Sequence, residues 1–300
     1  MSLIKNCLYL GDCLTTCKGD IPSNCIDLII ADPPYFKIAG EYDFIWNNVD
    51  EYIAWFQPIL QEFERILKPN GSLYLWGKIG YNKGFALPKL AIWVEKEGLF
   101  KIVNWITQKN THGRGTKKGY MECREELLYM VKPGNTSYTW NKSYTNTPST
   151  RTDAGYNGKP RKNTQKRCTD TWIDLEYYDP FFTTSEIWSD ISEASQSSKQ
   201  RFVIPSKMNS SSPNFQGVKN VQLCDRIINA SSNPKDLVFI PFAGTGSEII
   251  SCIQNARNFI ACEINQEYVD SIIYKRLLTL KTSENIRISF FNENPYMRLT

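Results

Sequence analysis

Short apolar runs that end at polar or turn residues occur at intervals along the chain and predict a buried β-sheet. Fully buried parallel strands consist of near-continuous branched apolar residues, and these runs have that composition. The clearest example is IDLIIA at 26–31, which ends at an Asp-Pro pair. Strands are predicted over residues 7–10, 26–31, 72–76, 101–107, 127–131, 237–240 and 258–263.

Apolar positions at helical spacing predict the helices that connect these strands. In 51–67 they form one stripe, and Lys68-Pro69-Asn70-Gly71 is predicted to stop the helix. Further helices are predicted over 87–97, 218–230, 247–256 and 266–280. Strands and helices alternate in both halves of the chain, which predicts an α/β fold with a doubly wound, mostly parallel, Rossmann-like sheet.

The stretch 133–217 has a different texture, rich in Ser, Thr, Asn, Gly and Pro and without a sustained period. It is predicted to be a loop-rich insertion rather than a second core. A chain of 300 residues is long for one minimal domain and short for two full ones. We therefore predict two halves of one core, 1–132 and 218–300, separated by this insertion.

Positive charge is concentrated in one part of the chain. Residues 107–168 hold thirteen Lys and Arg against four Asp and Glu, although the whole chain carries only +4. Aromatic residues lie among these basic residues, at Tyr138, Trp140, Tyr144 and Tyr156. One interpretation is a solvated, partly disordered insertion, and the other is a nucleic-acid surface. Residues 169–198 reverse the sign, with seven acids and no Lys or Arg.

Several classes of protein are disfavoured by what the sequence lacks. No apolar run approaches the ~18 residues needed to span a bilayer, so we expect a cytoplasmic protein. The nine cysteines include no C-x-x-C pair and are interpreted as free thiols, with a zinc site at Cys7, Cys13, Cys17 and Cys25 as the alternative. The single histidine, His112, is interpreted as a solvated loop residue rather than a general base.

A glycine-rich turn follows the strand at 237–240 and precedes a helix, with the sequence Phe242-Ala243-Gly244-Thr245-Gly246-Ser247. Glycines allow close approach of a ligand, and exposed amides at the helix start favour an anionic group. The next strand ends at Glu263, where a carboxylate can accept hydrogen bonds from both hydroxyls of a ribose. Position 249 is Ile, which breaks the dinucleotide pattern G-x-G-x-x-G and favours an adenosyl cofactor without a pyrophosphate.

A second motif, Asp32-Pro33-Pro34-Tyr35, directly follows the strand at 26–31. The prolines restrict the backbone, so the Asp32 carboxylate and the Pro33 carbonyl can be held as two acceptors facing one amino group. Tyr35 offers a flat face on which an unpaired base can stack. The structural alternative is a rigid turn without catalytic function, because Asp-Pro is common at turns.

Together these motifs resemble the permuted, beta-class amino-methyltransferases of DNA, in which D/S/N-P-P-Y precedes the recognition region and F-x-G-x-G comes last. The similarity covers roughly residues 6–132 and 184–280. Further matching stretches are Leu10-Gly11-Asp12-Cys13, the LKPNG stretch from Leu67, Glu125-Glu126-Leu127, Glu186-Ile187-Trp188 and the EINQEY stretch from Glu263. The pattern departs from the family at Ile240, where an Asp near the cofactor's ammonium is usual, and at 217–221, where HPTQKP is eroded. The first departure implies either weaker cofactor affinity or supply of the missing charge by Asp32.

The resemblance implies a Rossmann-like methyltransferase that uses S-adenosyl-L-methionine. It divides the chain into a catalytic half, 1–132, a basic target-recognition insertion, 133–217, and a cofactor-binding half, 218–300. The implied catalytic residues are Asp32, Pro33, Pro34 and Tyr35. The implied cofactor-binding residues are Asp12, Cys13, Asp32, Phe242, Ala243, Gly244, Thr245, Gly246, Ser247, Glu263 and Ile264, with Asp12 at the adenine amino group; no metal site is implied.

The expected reaction is methyl transfer to the N6 amino group of a flipped adenine in double-stranded DNA, contacted through 107–168. Asp rather than Ser at position 32 favours adenine over cytosine N4. The alternatives are cytosine N4, an RNA or protein-glutamine substrate, and a DNA-binding relative with a decayed cofactor loop. The absence of a Pro-Cys dipeptide argues against methylation of a ring carbon. A homodimer, a restriction-endonuclease counterpart and association with the nucleoid are left open by the sequence.

Overall fold

The computed structural model describes residues 3–37, 44–80, 83–114, 118, 122–149, 164–172, 219–280 and 289–292. In these ranges strands and helices alternate as the apolar patterning predicts. The strands are β1 Cys7–Leu10, β2 Ile26–Ala31, β3 Leu67–Gly77, β4 Lys101–Arg114, β5 Glu122–Val131, β6 Tyr144–Pro148, β7 Gln165–Arg167, β8 Thr171–Trp172, β9 Leu237–Ile240, β10 Asn258–Glu263 and β11 Ser289–Asn292. The helices are α1 Cys13–Asp20, α2 Val49–Ile66, α3 Ala86–Lys96, α4 Val221–Ser231, α5 Ser247–Gln254, α6 Gln266–Tyr268 and α7 Tyr274–Thr279, with a π-helical turn, Val269–Ile273, between the last two.

Nine strands form one sheet in the order β11-β1-β10-β9-β2-β3-β5-β4-β8. The pairs from β11 through β3 are parallel, whereas β5 is antiparallel to both β3 and β4. This arrangement confirms the predicted Rossmann-like class with a mostly parallel sheet. The bounds of β1, β2, β9 and β10 coincide with the predicted strands.

The sheet changes its winding direction between β2 and β9. From β2 the chain crosses through α2 to β3 on one side, whereas from β9 it crosses through α5 to β10 on the other. The two strands are nevertheless direct neighbours, with Leu28 opposite Val238 and Ile29 opposite Phe239. In doubly wound sheets, ligands bind in the crevice outside the carboxyl ends of the strands at such a switch point.

Each face of the sheet carries its own apolar core, because alternate strand residues point to opposite faces. On one face α1, α2 and α3 pack against strand residues such as Ile29 and Phe239. On the other face α4 and α5 pack against residues such as Leu28, Ile30 and Val238. The central strands are therefore buried on both sides, which explains why their sequences are continuous apolar runs rather than alternating ones.

Some element bounds differ from the prediction. The prediction that a helix over 51–67 is stopped by residues 68–71 was wrong in its bounds. Helix α2 ends at Ile66, and residues 68–71 belong to strand β3, where its pairing with β2 is irregular. Strands β4 and β5 extend the predicted strands to Arg114 and back to Glu122, so the backbone of His112 lies in a strand rather than a loop. The described parts of 133–217 contain the strands β6, β7 and β8, and β8 joins the main sheet beside β4.

Among the described residues, no helix is both long and apolar enough to cross a membrane.

Candidate active site

Four adjacent parallel strands bring the two predicted motifs to the same edge of the sheet. Strand β2 runs beside β9, β9 beside β10, and β10 beside β1. In this register Leu10 lies opposite Glu263, and Ala261 lies opposite Ile240. The segments that follow these strands therefore emerge side by side at the carboxyl edge. They carry Asp12, Asp32, Phe242 and Glu263.

The Asp32 turn is held by hydrogen bonds from aromatic side chains. The Tyr35 hydroxyl donates to Asp32 Oδ1 over 2.5 Å, and the Tyr52 hydroxyl donates to the Pro34 carbonyl over 2.9 Å. Proline at two successive positions restricts the same backbone. The carboxylate is thus held in a fixed direction, although one of its oxygens already accepts a bond within the protein. An ionised carboxylate has about four lone-pair sites, so it can accept a further amine.

Lys219, just before α4, places a buried ammonium against this turn. Its Nζ lies 3.4 Å from Asp32 Oδ1 and 2.5 Å from Glu125 Oε2, and it donates to the Tyr35 hydroxyl over 2.9 Å. The same nitrogen lies 4.4 Å from the ring centroid of Trp76. Lys219 therefore connects the segment before α4 to the Glu125 carboxylate of β5 and to the Asp32 turn. We call Asp32, Tyr35, Glu125 and Lys219 the charge cluster.

The pKa values in the charge cluster follow from burial and from opposite charge. Burial lowers the pKa of Lys219, but the carboxylates of Asp32 and Glu125 outweigh it, so the net pKa is raised and the ammonium stays charged. Burial raises the pKa of Asp32, and the charge of Lys219 opposes that rise. Lys219 is thus the cation that favours the ionised form of Asp32.

A small open cleft lies beside the Asp32 turn, and its lining includes Pro33, Tyr35, Trp76, Lys78 and Lys83. Ligand clefts commonly have apolar and aromatic walls with a few polar groups. The cleft therefore has aromatic side chains on which a flipped base could stack.

The glycine-rich turn lies at the adjacent strand end in a conformation that depends on its glycines. Gly244 and Gly246 have φ of 51° and 81°, in the left-handed region. A Cβ at Gly244 would meet no atom within 4 Å, so this residue faces open space. From α7, the buried Arg276 donates to the Thr245 carbonyl over 2.8 Å and to Ser247 Oγ over 3.1 Å. Arg276 therefore fixes the turn at Thr245 and Ser247, while the side of Gly244 where a side chain would lie is open.

Glu263 joins the glycine turn to the end of β10. Its carboxylate accepts from the Gly244 amide over 2.7 Å and from the Asn265 amide over 2.9 Å. Burial outweighs the opposing effect of these backbone amides and raises the pKa of Glu263 to about 7. The predicted contact of Glu263 with a ribose stays a prediction, and the structure adds a second role in holding the loop.

The remaining cofactor candidates lie at the same edge. Asp12 is the N-cap of α1, and its Oδ1 accepts from the Thr15 amide over 3.0 Å. Cys13 is the first residue of that helix and is buried. Ile264 follows Glu263 and is 75% exposed. The predicted contact of Asp12 with the adenine amino group is likewise untested.

Two aromatic residues of the basic segment pack against the core. Tyr138 and Trp140 both contact the ring of Tyr129, the latter stacked at 5.6 Å between centroids. Asn141 donates to the carbonyls of Asn229 and Ser232 at the end of α4. These contacts tie the start of the insertion to the cofactor half. Trp140 is still 41% exposed, whereas Tyr156 lies outside the described residues.

The cysteines do not form a metal-binding group in the described part of the chain, where no cluster of three or more His, Cys, Asp or Glu has suitable positions. Cys7, Cys13 and Cys17 are buried thiols, and burial raises the pKa of each of them. Such thiols are inert small apolar groups.

Sequence reasoning missed Lys219, Glu125 and Glu248 as site residues. Glu125 stood in a stretch that matched the family pattern, and Lys219 stood in the stretch 217–221 that was interpreted as eroded. The lysine of HPTQKP is nevertheless kept there, and that single retained residue was the available signal. The predicted match at Glu186-Ile187-Trp188 lies outside the described residues.

A doubly wound sheet with an acceptor turn and a glycine turn at its switch point is the arrangement expected of a Rossmann-like, S-adenosylmethionine-dependent methyltransferase. Residues 26–275 match the family of N6 and N4 methyltransferases described as DNA methylase. The chain therefore belongs to the DNA methylase family.

Individual relatives agree with this assignment. The chain is 31% identical to the DNA adenine methyltransferase YhdJ of Escherichia coli over 86% of its own length and 78% of that protein. It is 30% identical to the type II methyltransferase M.BamHI of Bacillus amyloliquefaciens over 86% of its length, but it spans only 54% of that relative. The solved structure of the cytosine-N4-specific PvuII DNA methyltransferase shares the fold, with a TM-score of 0.59 at 17% identity and coverage of 95% of this chain and 89% of that one.

Proposed function

We propose that this protein transfers the methyl group of S-adenosyl-L-methionine to the N6 amino group of adenine in double-stranded DNA. The observation that carries the proposal is the adjacency of β2 and β9, which puts the Asp32 turn beside the glycine turn at the switch point. Membership of the DNA methylase family supports the reaction class. The adenine specificity is supported by Asp at position 32 and by similarity to a relative named as an adenine methyltransferase.

The residues of the glycine turn fit this cofactor. The first amides of α5 follow Gly246, which has no side chain to cap them, and such amides favour a carboxylate. The open space in front of Gly244 lets a ligand approach the backbone closely. The exposed Ile264 offers an apolar surface for the adenine ring, beside Glu263 at the ribose. When bound, the cofactor supplies a methyl group on a positively charged sulfur.

The Asp32 turn would act on the base. A base amine is a poor nucleophile, because its lone pair is delocalised into the ring. Acceptance of its hydrogens by the Asp32 carboxylate and the Pro33 carbonyl would align that lone pair for direct displacement. Tyr35 and Trp76 line the cleft in which the flipped base would stack. The protein contributes orientation and electrostatics, without a covalent intermediate.

In this mechanism Lys219 is a positioning residue. Its ammonium keeps Asp32 in the acceptor form, because a protonated carboxyl would offer a donor in place of one lone pair. It also donates to the Tyr35 hydroxyl, which in turn donates to Asp32. The acceptor thus keeps both its charge and its direction.

The basic segment 107–168 would bind the DNA backbone and help to select the target. Its described part includes the exposed Lys166 and Arg167 of β7, on a two-stranded sheet apart from the main one. Assignment of 133–217 to target recognition, of 1–132 to catalysis and of 218–300 to the cofactor follows the positions of the two motifs. Nucleoid association, a homodimer and a restriction-endonuclease counterpart would be consistent with this function and need direct tests.

Cytosine N4 is the second candidate, since the matched family contains both N6 and N4 methyltransferases. The experiment is to incubate the protein with methyl-labelled cofactor and DNA, RNA or protein substrates. Label is expected in DNA, and digestion to nucleosides is expected to show N6-methyladenine. N4-methylcytosine would reassign the base, whereas label in RNA or protein alone would contradict the proposal.

A further inference from the structure

Glu248 has a buried carboxylate whose charge the protein does not fully compensate. It lies in the first turn of α5, directly after the glycine turn, and is only 3% exposed. Its Oε1 has no hydrogen-bond partner within the described part of the chain. A buried carboxylate without a partner is costly, and carboxylates in this position usually face a cation.

The groups that face Glu248 come from three elements. Burial and then the charge of Asp32 raise the pKa of Glu248 to about 7, against the opposing effects of its own backbone amide, Lys219 and Arg276. Lys219 is already shared by Asp32 and Glu125, and Arg276 Nη1 donates to the Thr245 carbonyl and to Ser247 Oγ. Within the described part of the chain, the carboxylates of Asp32, Glu125 and Glu248 face the cations Lys219 and Arg276, so the region favours a further positive charge.

The position of Glu248 beside the glycine turn limits which cation could bind its carboxylate. The glycine turn and the first amides of α5 suit the carboxylate of the cofactor's amino-acid part. The α-ammonium lies one carbon from that carboxylate, and the Glu248 carboxyl group interacts electrostatically with Asp32 and Lys219 at the adjacent strand end. Ile240, where an acid would be usual in this family, is fully buried in the apolar core and cannot fill this role.

We propose that Glu248 binds the α-ammonium of the cofactor and replaces the acid that is absent at position 240. This inference rests on cofactor binding as proposed above, and it assigns to Glu248 the charge that Ile240 cannot provide. Lys219 and Asp32 remain paired with each other and are not needed for this contact.

The test compares ligands that differ by one group. Affinities of the wild-type protein and of Glu248→Gln are measured by calorimetry for S-adenosylhomocysteine and for the analogue in which hydrogen replaces the α-amino group. The pH is set about one unit above the pKa of about 7, so that Glu248 is ionised. Glu248→Gln is expected to weaken S-adenosylhomocysteine binding by about tenfold or more and to leave the desamino analogue unchanged.

The exposed Glu95 of α3 provides a matched control, since Glu95→Gln removes the same charge far from the glycine turn and should change neither affinity. Glu248→Gln should melt no lower than wild type above this pKa, because it removes an incompletely compensated buried charge. An equal loss for both ligands, or no loss for either, would overturn the role of Glu248. Failure of the wild-type protein to bind S-adenosylhomocysteine would instead overturn the cofactor assignment and this inference with it.

Discussion

Replacement of Lys219 by Met should remove the cation of the charge cluster and lower the stability of the protein. The side chain is 8% exposed and lies within 4 Å of carboxylates on Asp32 and Glu125, whose own side chains are 20% and 6% exposed. Removal of one partner from a buried ion pair costs roughly 3–5 kcal/mol. Because Asp32 retains some exposure, we expect the free energy of unfolding to fall by about 3 kcal/mol near neutral pH.

The loss of stability in Lys219→Met should depend on pH, because the pKa of Asp32 changes in the variant. In the variant the pKa of Asp32 rises further above its ordinary value of 3.8, because burial and Glu125 remain while Lys219 is gone. A folded state that holds a proton more tightly than the unfolded state is favoured at low pH and loses that advantage as pH rises through the raised pKa. The stability deficit should therefore be small near pH 4 and grow towards neutral pH.

The assay combines denaturant unfolding at several pH values with the pH profile of kcat/KM for methyl transfer. Lys219→Met should shift the acidic limb of that profile to higher pH, since Asp32 must be ionised to accept the base amine. Lys68→Met is the matched control, because Lys68 pairs with Asp27 over 2.7 Å near the opposite end of β2. It should lower stability without moving the profile. A Lys219→Met enzyme with the wild-type acidic limb and rate would exclude Lys219 from control of the Asp32 charge.

Asp32→Ala should abolish methyl transfer while cofactor binding stays largely intact, as measured by labelled transfer and calorimetry; unchanged turnover would remove Asp32 from the mechanism. Gly244→Val should block binding of S-adenosylhomocysteine, because φ is 51° and the side chain would enter the open space in front of the turn. Gly98→Val is its control, because Gly98 has a φ of 66° and equally open surroundings away from the site, and this variant should bind normally. Normal binding by Gly244→Val would contradict cofactor binding at the glycine turn. Duplex affinity should fall steeply with salt, and replacement of both Lys166 and Arg167 by Ala should reduce the slope by about 2 if each neutralises one phosphate. An unchanged slope in that variant would exclude these residues from the DNA surface.

The centre of the sheet could be predicted because its strands are buried on both faces. IDLIIA and its neighbours are apolar throughout and end at polar turns, so their bounds are visible without a partner. Helix α1 offered no such signal, since its buried residues are the small Cys13, Thr16 and Cys17. The edge strand β11 was missed as well, and its pairing with β1 is long-range. Periodicity therefore identified the elements with large apolar faces.

The candidate site was predictable only where one short stretch carries the chemistry. The Asp32 turn and the glycine turn are each continuous in sequence, so their residue types and spacing could be interpreted directly. The charge cluster is assembled from β5, the Asp32 turn and Lys219, with up to 184 residues separating Tyr35 from Lys219. No local pattern marks a lysine as the partner of two distant carboxylates, and only the fold brings them together.

The most direct test is a structure of the protein with cofactor and a duplex that carries its target base. The cofactor's methyl carbon is expected to lie between the Asp32 turn and the glycine turn. The amino nitrogen of a flipped adenine should be about 3–3.5 Å from that carbon and should donate to Asp32. Cofactor bound at another edge of the sheet, or an amine that contacts neither Asp32 nor Pro33, would contradict it.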